Sequence, residues 1–185
     1  ANSDWVSKYM PEIANALYYG HEGNRGDGIN WGMELGADTG DMSSYQALGS
    51  LAYPQMLVIP HTLLISGGLQ VNNNGERFQN ELDDISGQSL TILKQPEAIC
   101  WIVYDEKAHQ DALRFEEYLS AFNLGVPKKA ETPAALAEQM KIPSENFTKT
   151  IQASFNYVAG KETDPFGRDF TAGHGLEAPF YAIRV

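Results

Sequence analysis

The sequence is poor in the residues that usually announce a chemistry. It has one cysteine, so no disulfide can close within it. That thiol, Cys100, sits in the apolar run Ile99-Cys100-Trp101-Ile102-Val103 and reads as a buried structural group rather than a nucleophile. The four histidines, His21, His61, His109 and His174, lie far apart and match no zinc spacing, so no metal site is expected. Positive charge is scarce: 13 Lys and Arg stand against 24 Asp and Glu, for a net charge of −11, and only Lys128-Lys129 are adjacent. A nucleic-acid partner is thereby excluded, because affinity for phosphate backbones needs clustered cations, and acidic membranes are disfavoured. No apolar run reaches the length of a membrane span and no signal peptide is visible, which makes a cytoplasmic location the expectation.

Glycine is plentiful and unevenly placed. The stretch from Gly20 to Gly28 leads into a predicted helix whose Ile29, Met33 and Gly36 share a face, with Asp27 as its expected N-cap. Before it, residues 4 to 19 show helical spacing interrupted by Pro11. Asn74-Gly75 predicts a hairpin through a primed turn, with strands Leu69–Val71 and Glu76–Phe78 and positive φ at both central residues. Ala98 to Tyr104 predicts a buried strand, and residues 106 to 122 one helix burying Leu113, Tyr118, Leu119 and Phe122. Thr132-Pro133 has the signature of a helix start. Residues 143 to 160 predict a helix with a Phe147, Ile151, Phe155, Val158 stripe and Gly160 as its stop. The tail Phe180 to Val185 reads as a strand that ends abruptly, the pattern expected of a piece of a longer chain. Strands and helices mix without βαβ alternation, so the fold class is α+β, a small mixed sheet with packed helices.

Taken one at a time, the polar motifs are weak. Gly26-Asp27-Gly28 lacks the spacing of a dinucleotide fingerprint; it is either a turn and cap or a helix N-terminus directed at an anion or cofactor. Arg77 and Glu81 form either a structural ion pair or a cleft carboxylate with its partner. His61, between Pro60 and Thr62 in apolar sequence, is either a satisfied core histidine or an acid/base; His109 reads as solvated on a helix face.

In order, however, the segments Gly-Asn-x-Gly-Asp-Gly-Ile, Gly-Met-Glu-Leu-Gly-Ala, Gly-Gly-Leu-Gln-Val-Asn-x-x-Gly-x-Arg-Phe-x-Asn-Glu, Trp-Ile-Val-Tyr-Asp, Asp-Pro-Phe-Gly-Arg-Asp-Phe and Ala-Pro-Phe-Tyr-Ala-Ile-Arg-Val resemble the middle of the fumarate reductase/succinate dehydrogenase-like flavoproteins, which include 3-ketosteroid dehydrogenases. The resemblance runs from about Gly20 to Val185. It implies a fragment of an FAD-dependent oxidoreductase: residues 1–45 an edge of the FAD-binding domain, 46–175 the cap that covers the substrate, and 176–185 the return strand. It implies FAD as cofactor of the parent enzyme, with Gly26, Asp27 and Gly28 on the flavin side and Glu81 and His61 on the side of a small-molecule substrate. It implies as partner the remainder of the FAD-binding domain, whose loss exposes a face able to drive a homodimer, and a fragment inactive alone. The alternative is a stand-alone binding module. The family's fumarate-binding cations are replaced: Asp84-Ile85 where an Arg is expected, His109 in place of a catalytic Arg, Leu48 in place of a His. A less charged substrate, an enone or steroid-like ring, is expected, since Leu and Asp cannot supply bidentate carboxylate binding.

Overall fold

The computed structural model describes residues 2–171 and 173–185. Two compact units divide it, residues 1–46 and 47–185.

The first unit is a short helix α1 (Ser3–Tyr9), a 3₁₀ turn at Pro11–Ile13, a glycine-rich loop and helix α2 (Asp27–Glu34). Asn2 caps α1 by accepting the Trp5 N–H. The cap of α2 is Gly26 and not the expected Asp27, which is the first helical residue; φ of +85° at Gly26 suits a residue without Cβ. None of its described residues is buried, and Trp31 and Leu35 are 64% and 89% exposed. The apolar residues of this unit therefore form a surface rather than a core.

The second unit is a three-layer arrangement around a four-stranded antiparallel sheet. In chain order it comprises β1 (Leu51–Ala52), β2 (Leu57–Val58), α3 (Thr62–Ile65), β3 (Leu69–Asn72), α4 (Gly87–Leu93), β4 (Cys100–Asp105), α5 (Glu106–Ala112), α6 (Glu116–Asn123), β5 (Lys128–Ala130), α7 (Pro133–Met140), α8 (Ser144–Val158) and β6 (Phe180–Arg184). The sheet order is β3-β4-β6-β5, while β1 and β2 pair separately. Strand β4 lies inside the sheet and every residue of it is buried. Its side chains alternate between two cores, as the two-residue period of a strand requires. Cys100, Ile102 and Tyr104 join Leu63, Leu64 and Tyr118 on one face; Trp101 and Val103 join Leu136, Phe147 and Ile151 on the other. The first core lies under α3, α5 and α6, the second under α7 and α8.

Three local expectations change. Residues 106 to 122 form two helices, α5 and α6, and the break leaves Leu119 and Phe122 each 41% exposed while Tyr118 stays buried. His109 is buried rather than solvated. At Asn74-Gly75 the chain turns, but only Gly75 has positive φ, and β3 pairs with β4 instead of with a strand at residues 76 to 78. The Asn72 side chain governs that turn, its Oδ1 accepting the N–H groups of Asn74 and Glu76. Thr132 caps α7 as expected, through the Ala135 N–H, and Gly160 with positive φ follows α8. No helix among the described residues is long and apolar enough to cross a membrane.

Candidate functional site

Four charged side chains converge beneath the β3 edge of the sheet. Glu81 is wholly enclosed. Its Oε1 accepts the Gln70 N–H at 3.1 Å and Arg77 Nε at 2.8 Å; its Oε2 accepts Arg77 Nη2 at 2.8 Å and Arg168 Nη1 at 3.0 Å. The four-residue spacing of Arg77 and Glu81 thus yields a bidentate fork, the strongest form of guanidinium–carboxylate contact. Asp164, from the loop after α8, accepts Arg77 Nη1 and the backbone N–H of Arg168. Two guanidinium charges and two carboxylates balance, which is how buried ions are tolerated. Against the burial that would lower it, Glu81 and Asp164 hold the Arg77 pKa above its ordinary value. Phe170 faces both guanidinium groups, at 5.2 Å from Arg77 and 4.7 Å from Arg168.

Glu81 is therefore not a carboxylate on an open cleft in this structure. Both of its oxygens are taken by charged or backbone donors. His61 is a different case. It is partly buried, stands at the N-terminus of α3, and its imidazole has no hydrogen-bond partner among the described residues. Burial, and then the charge of Arg168, hold its pKa below the ordinary histidine value. A neutral imidazole with free nitrogens can accept or pass a proton.

Three further groups come together that the sequence names only as separate residues, Tyr104 among them as a candidate phenolic acid or core residue. Arg168 and Asp164 sit in Asp164-Pro165-Phe166-Gly167-Arg168, whose partners lie some 85 to 105 positions earlier and leave no local signal. Behind β4, His109 Nδ1 lies 2.7 Å from the Tyr118 hydroxyl, which lies 2.8 Å from that of Tyr104. Burial raises the pKa of both phenols, which stay protonated, and lowers that of His109. At the far end of β4, Asp105 caps α5 through the Ala108 N–H and accepts His174 Nε2 at 2.7 Å. Among the described residues no group of His, Cys, Asp and Glu is arranged to hold a metal ion.

The Gly26–Gly28 turn lies in the other unit. No side chain caps α2, and a Cβ at Gly28 would meet nothing within 4 Å. The sequence model of the FAD binding domain family matches residues 1–185, the whole chain. The chain belongs to that family. FAD is accordingly the cofactor of the enzyme it is part of. It is 30% identical to the NADH:fumarate oxidoreductase of Klebsiella pneumoniae, over all of this chain and 20% of that protein. It is similar in structure to the open conformation of a flavocytochrome c3 fumarate reductase, at 27% identity and a TM-score of 0.76, covering 100% of this chain and 32% of the other. A 3-ketosteroid-delta4-(5alpha)-dehydrogenase from Rhodococcus jostii RHA1 shares the fold, at 20% identity and a TM-score of 0.63, over 98% of this chain and 36% of that one. The chain thus spans about a fifth to a third of the length of the relatives it matches. The α+β class stands on the sheet described above and on these structural comparisons, and the FAD binding domain membership on the family model.

Proposed function

We propose that this chain supplies the substrate-covering part of an FAD-dependent oxidoreductase that acts on an activated, weakly charged alkene or ketone. Bound FAD supplies the hydride chemistry, which protein side chains cannot perform. The residues of this chain hold, orient and shield. The Gly26, Asp27 and Gly28 turn faces the cofactor with a helix N-terminus, and residues 46–175 cover the substrate and exclude water as a cap. His61 lines the substrate side and handles the proton that accompanies the hydride. Glu81 serves that site by holding Arg77 and Arg168 in place.

One observation carries the substrate class. Each arginine of residues 47–185 already has a carboxylate: Arg77 with Glu81 and Asp164, Arg114 with Asp111, Arg168 with Glu81, Arg184 with Glu97. Bidentate recognition of a dicarboxylate needs a guanidinium that is not so engaged. Purification of the full-length enzyme tests the reading. A yellow protein that reduces cyclohex-2-enone with a kcat/KM about tenfold or more above that for fumarate is expected, tenfold being the discrimination of about 1.4 kcal/mol in transition-state binding. Efficient fumarate reduction would sink the substrate class, and a colourless protein would favour a binding module instead.

A further inference from the structure

The helix that carries His61 cannot hold its own shape. Four residues, Thr62–Ile65, make barely one turn, and nucleating a turn is unfavourable without outside contacts. No side chain caps its start. Leu63 and Leu64 anchor it in the first core, the Ser66 hydroxyl donates to Asp111, and Arg168 ties down its last turn. Arg168 Nη2 donates to the Leu64 carbonyl at 3.2 Å and its Nη1 to the Gly68 carbonyl at 2.7 Å, so one planar group spans the last turn of α3 and the entry to β3. The backbone between these carbonyls is tightly folded. Gly68 N–H donates to Leu63 O at 2.9 Å, and a Cβ at Gly68 would stand 2.5 Å from that oxygen. Arg168 is itself held at both ends: Nη1 also donates to Glu81 Oε2, and its backbone N–H donates to Asp164. The chain of restraint runs Arg77–Asp164–Arg168–α3–His61, and each link except the last is a hydrogen bond between buried groups.

We propose that Arg168 is the positioning residue of His61: its fork on the Leu64 and Gly68 carbonyls sets where α3 stands and therefore where the imidazole meets the substrate. This rests on the reading that His61 lines the substrate side. Lysine cannot replace the fork, because an ammonium has no planar pair of donors with which to bridge two carbonyls. A displacement of about 1 Å in a group that must meet a reacting atom costs up to about a hundredfold in rate, so a shift smaller than that gives a measurable loss in kcat.

The test is a double-mutant cycle in the full-length flavoenzyme, using cyclohex-2-enone or fumarate, whichever is turned over. Arg168→Lys should lower kcat about tenfold with KM changed less than about twofold, a loss confined to the transition state. His61→Asn should lower kcat further, and adding Arg168→Lys to it should change nothing more, because an imidazole that is absent cannot be misplaced. Multiplying effects in the double mutant would overturn the inference and leave the role of His61 intact. A His61→Asn enzyme as active as wild type would remove that role and the inference with it. If Arg168→Lys does not fold, as judged by its thermal transition, Arg168→Gln, which keeps one donor and no charge, takes its place in the same cycle. Loss of thermal stability with kcat unchanged would make Arg168 a structural residue only and would also overturn the inference.

Discussion

The Tyr118 hydroxyl bridges two buried partners, 2.7 Å from His109 Nδ1 and 2.8 Å from the hydroxyl of Tyr104. One proton ordering satisfies the row: Tyr104 donates to Tyr118, which donates to His109, leaving Nε2 as the protonated nitrogen. Protonation of Nδ1 reverses every donor. Tyr118→Phe keeps the ring and deletes the bridge, so it leaves a buried imidazole nitrogen without its donor. A loss of about 1–3 kcal/mol in unfolding free energy is expected, read from urea midpoints at unchanged m-value. An unchanged midpoint would mean that water or another group takes the place of the hydroxyl.

Acid should destabilise the fold through its histidines. His109 is held below its ordinary pKa by burial, with Glu106 opposing and Lys129 assisting, and His61 by burial and then Arg168. The unfolded chain, with imidazoles near their ordinary value of about 6.5, then binds more protons than the folded one, so stability is lost as pH falls through about 6.5 toward the lower folded values. Urea midpoints should be flat well above that pH and decline below it, and His109→Gln should shallow the decline. A slope of the opposite sign would show that the folded protein favours charged imidazoles.

Glu81→Gln keeps the shape of the site and removes half of its negative charge. Arg77 then keeps Asp164, while the buried Arg168 guanidinium is left with the Leu64 and Gly68 carbonyls and no carboxylate of its own. Breaking a buried ion network from one side costs about 3–5 kcal/mol, and a loss of that size is expected in denaturant unfolding. A loss below about 1 kcal/mol would place the charges in effective contact with solvent.

Gly75 leaves no room for a methyl group and has a backbone conformation that disfavours one. Its φ is +80°, and a Cβ there would stand 2.8 Å from the Phe147 backbone nitrogen. Gly75→Ala should cost more than about 1 kcal/mol, and Asn74→Ala far less, since Asn74 has ordinary φ. Thermal melting of the two variants side by side distinguishes them. Equal melting temperatures would mean that α8 yields at its N-terminus.

Local signals made much of the second unit legible. Thr132 caps the next helix because a hydroxyl beside Pro133 can do little else, and the stripe from Phe147 to Val158 faces one core because helical spacing leaves no other choice. The run at Cys100 becomes an inner strand because it has apolar side chains for both faces. Signals failed where the deciding partner is distant. Residues 106 to 122 carry one helical pattern, yet the chain breaks near Arg114 and Phe115, and His109 turns inward to stack on Tyr181 of β6, 4.9 Å between ring centres. The Asn74-Gly75 pair promised a hairpin, but β3 found its partner in β4, nearly thirty residues on. In the candidate site, Arg77 and Glu81 were visible as a local pair, whereas Arg168 and Asp164 are meaningful only once the loop after α8 has folded back.

That return has a bearing on synthesis. Arg168 reaches the Gly68 and Leu64 carbonyls across 100 and 104 positions of sequence. A nascent chain emerges at about 5–20 residues per second, so the turn at His61 leaves the ribosome several seconds before the residue that clamps it exists. Through that interval the two carbonyls and the carboxylate of Glu81 stay in water. The segment holding the substrate-side imidazole is thus among the last parts of this unit to take its final form, although it is made among the first.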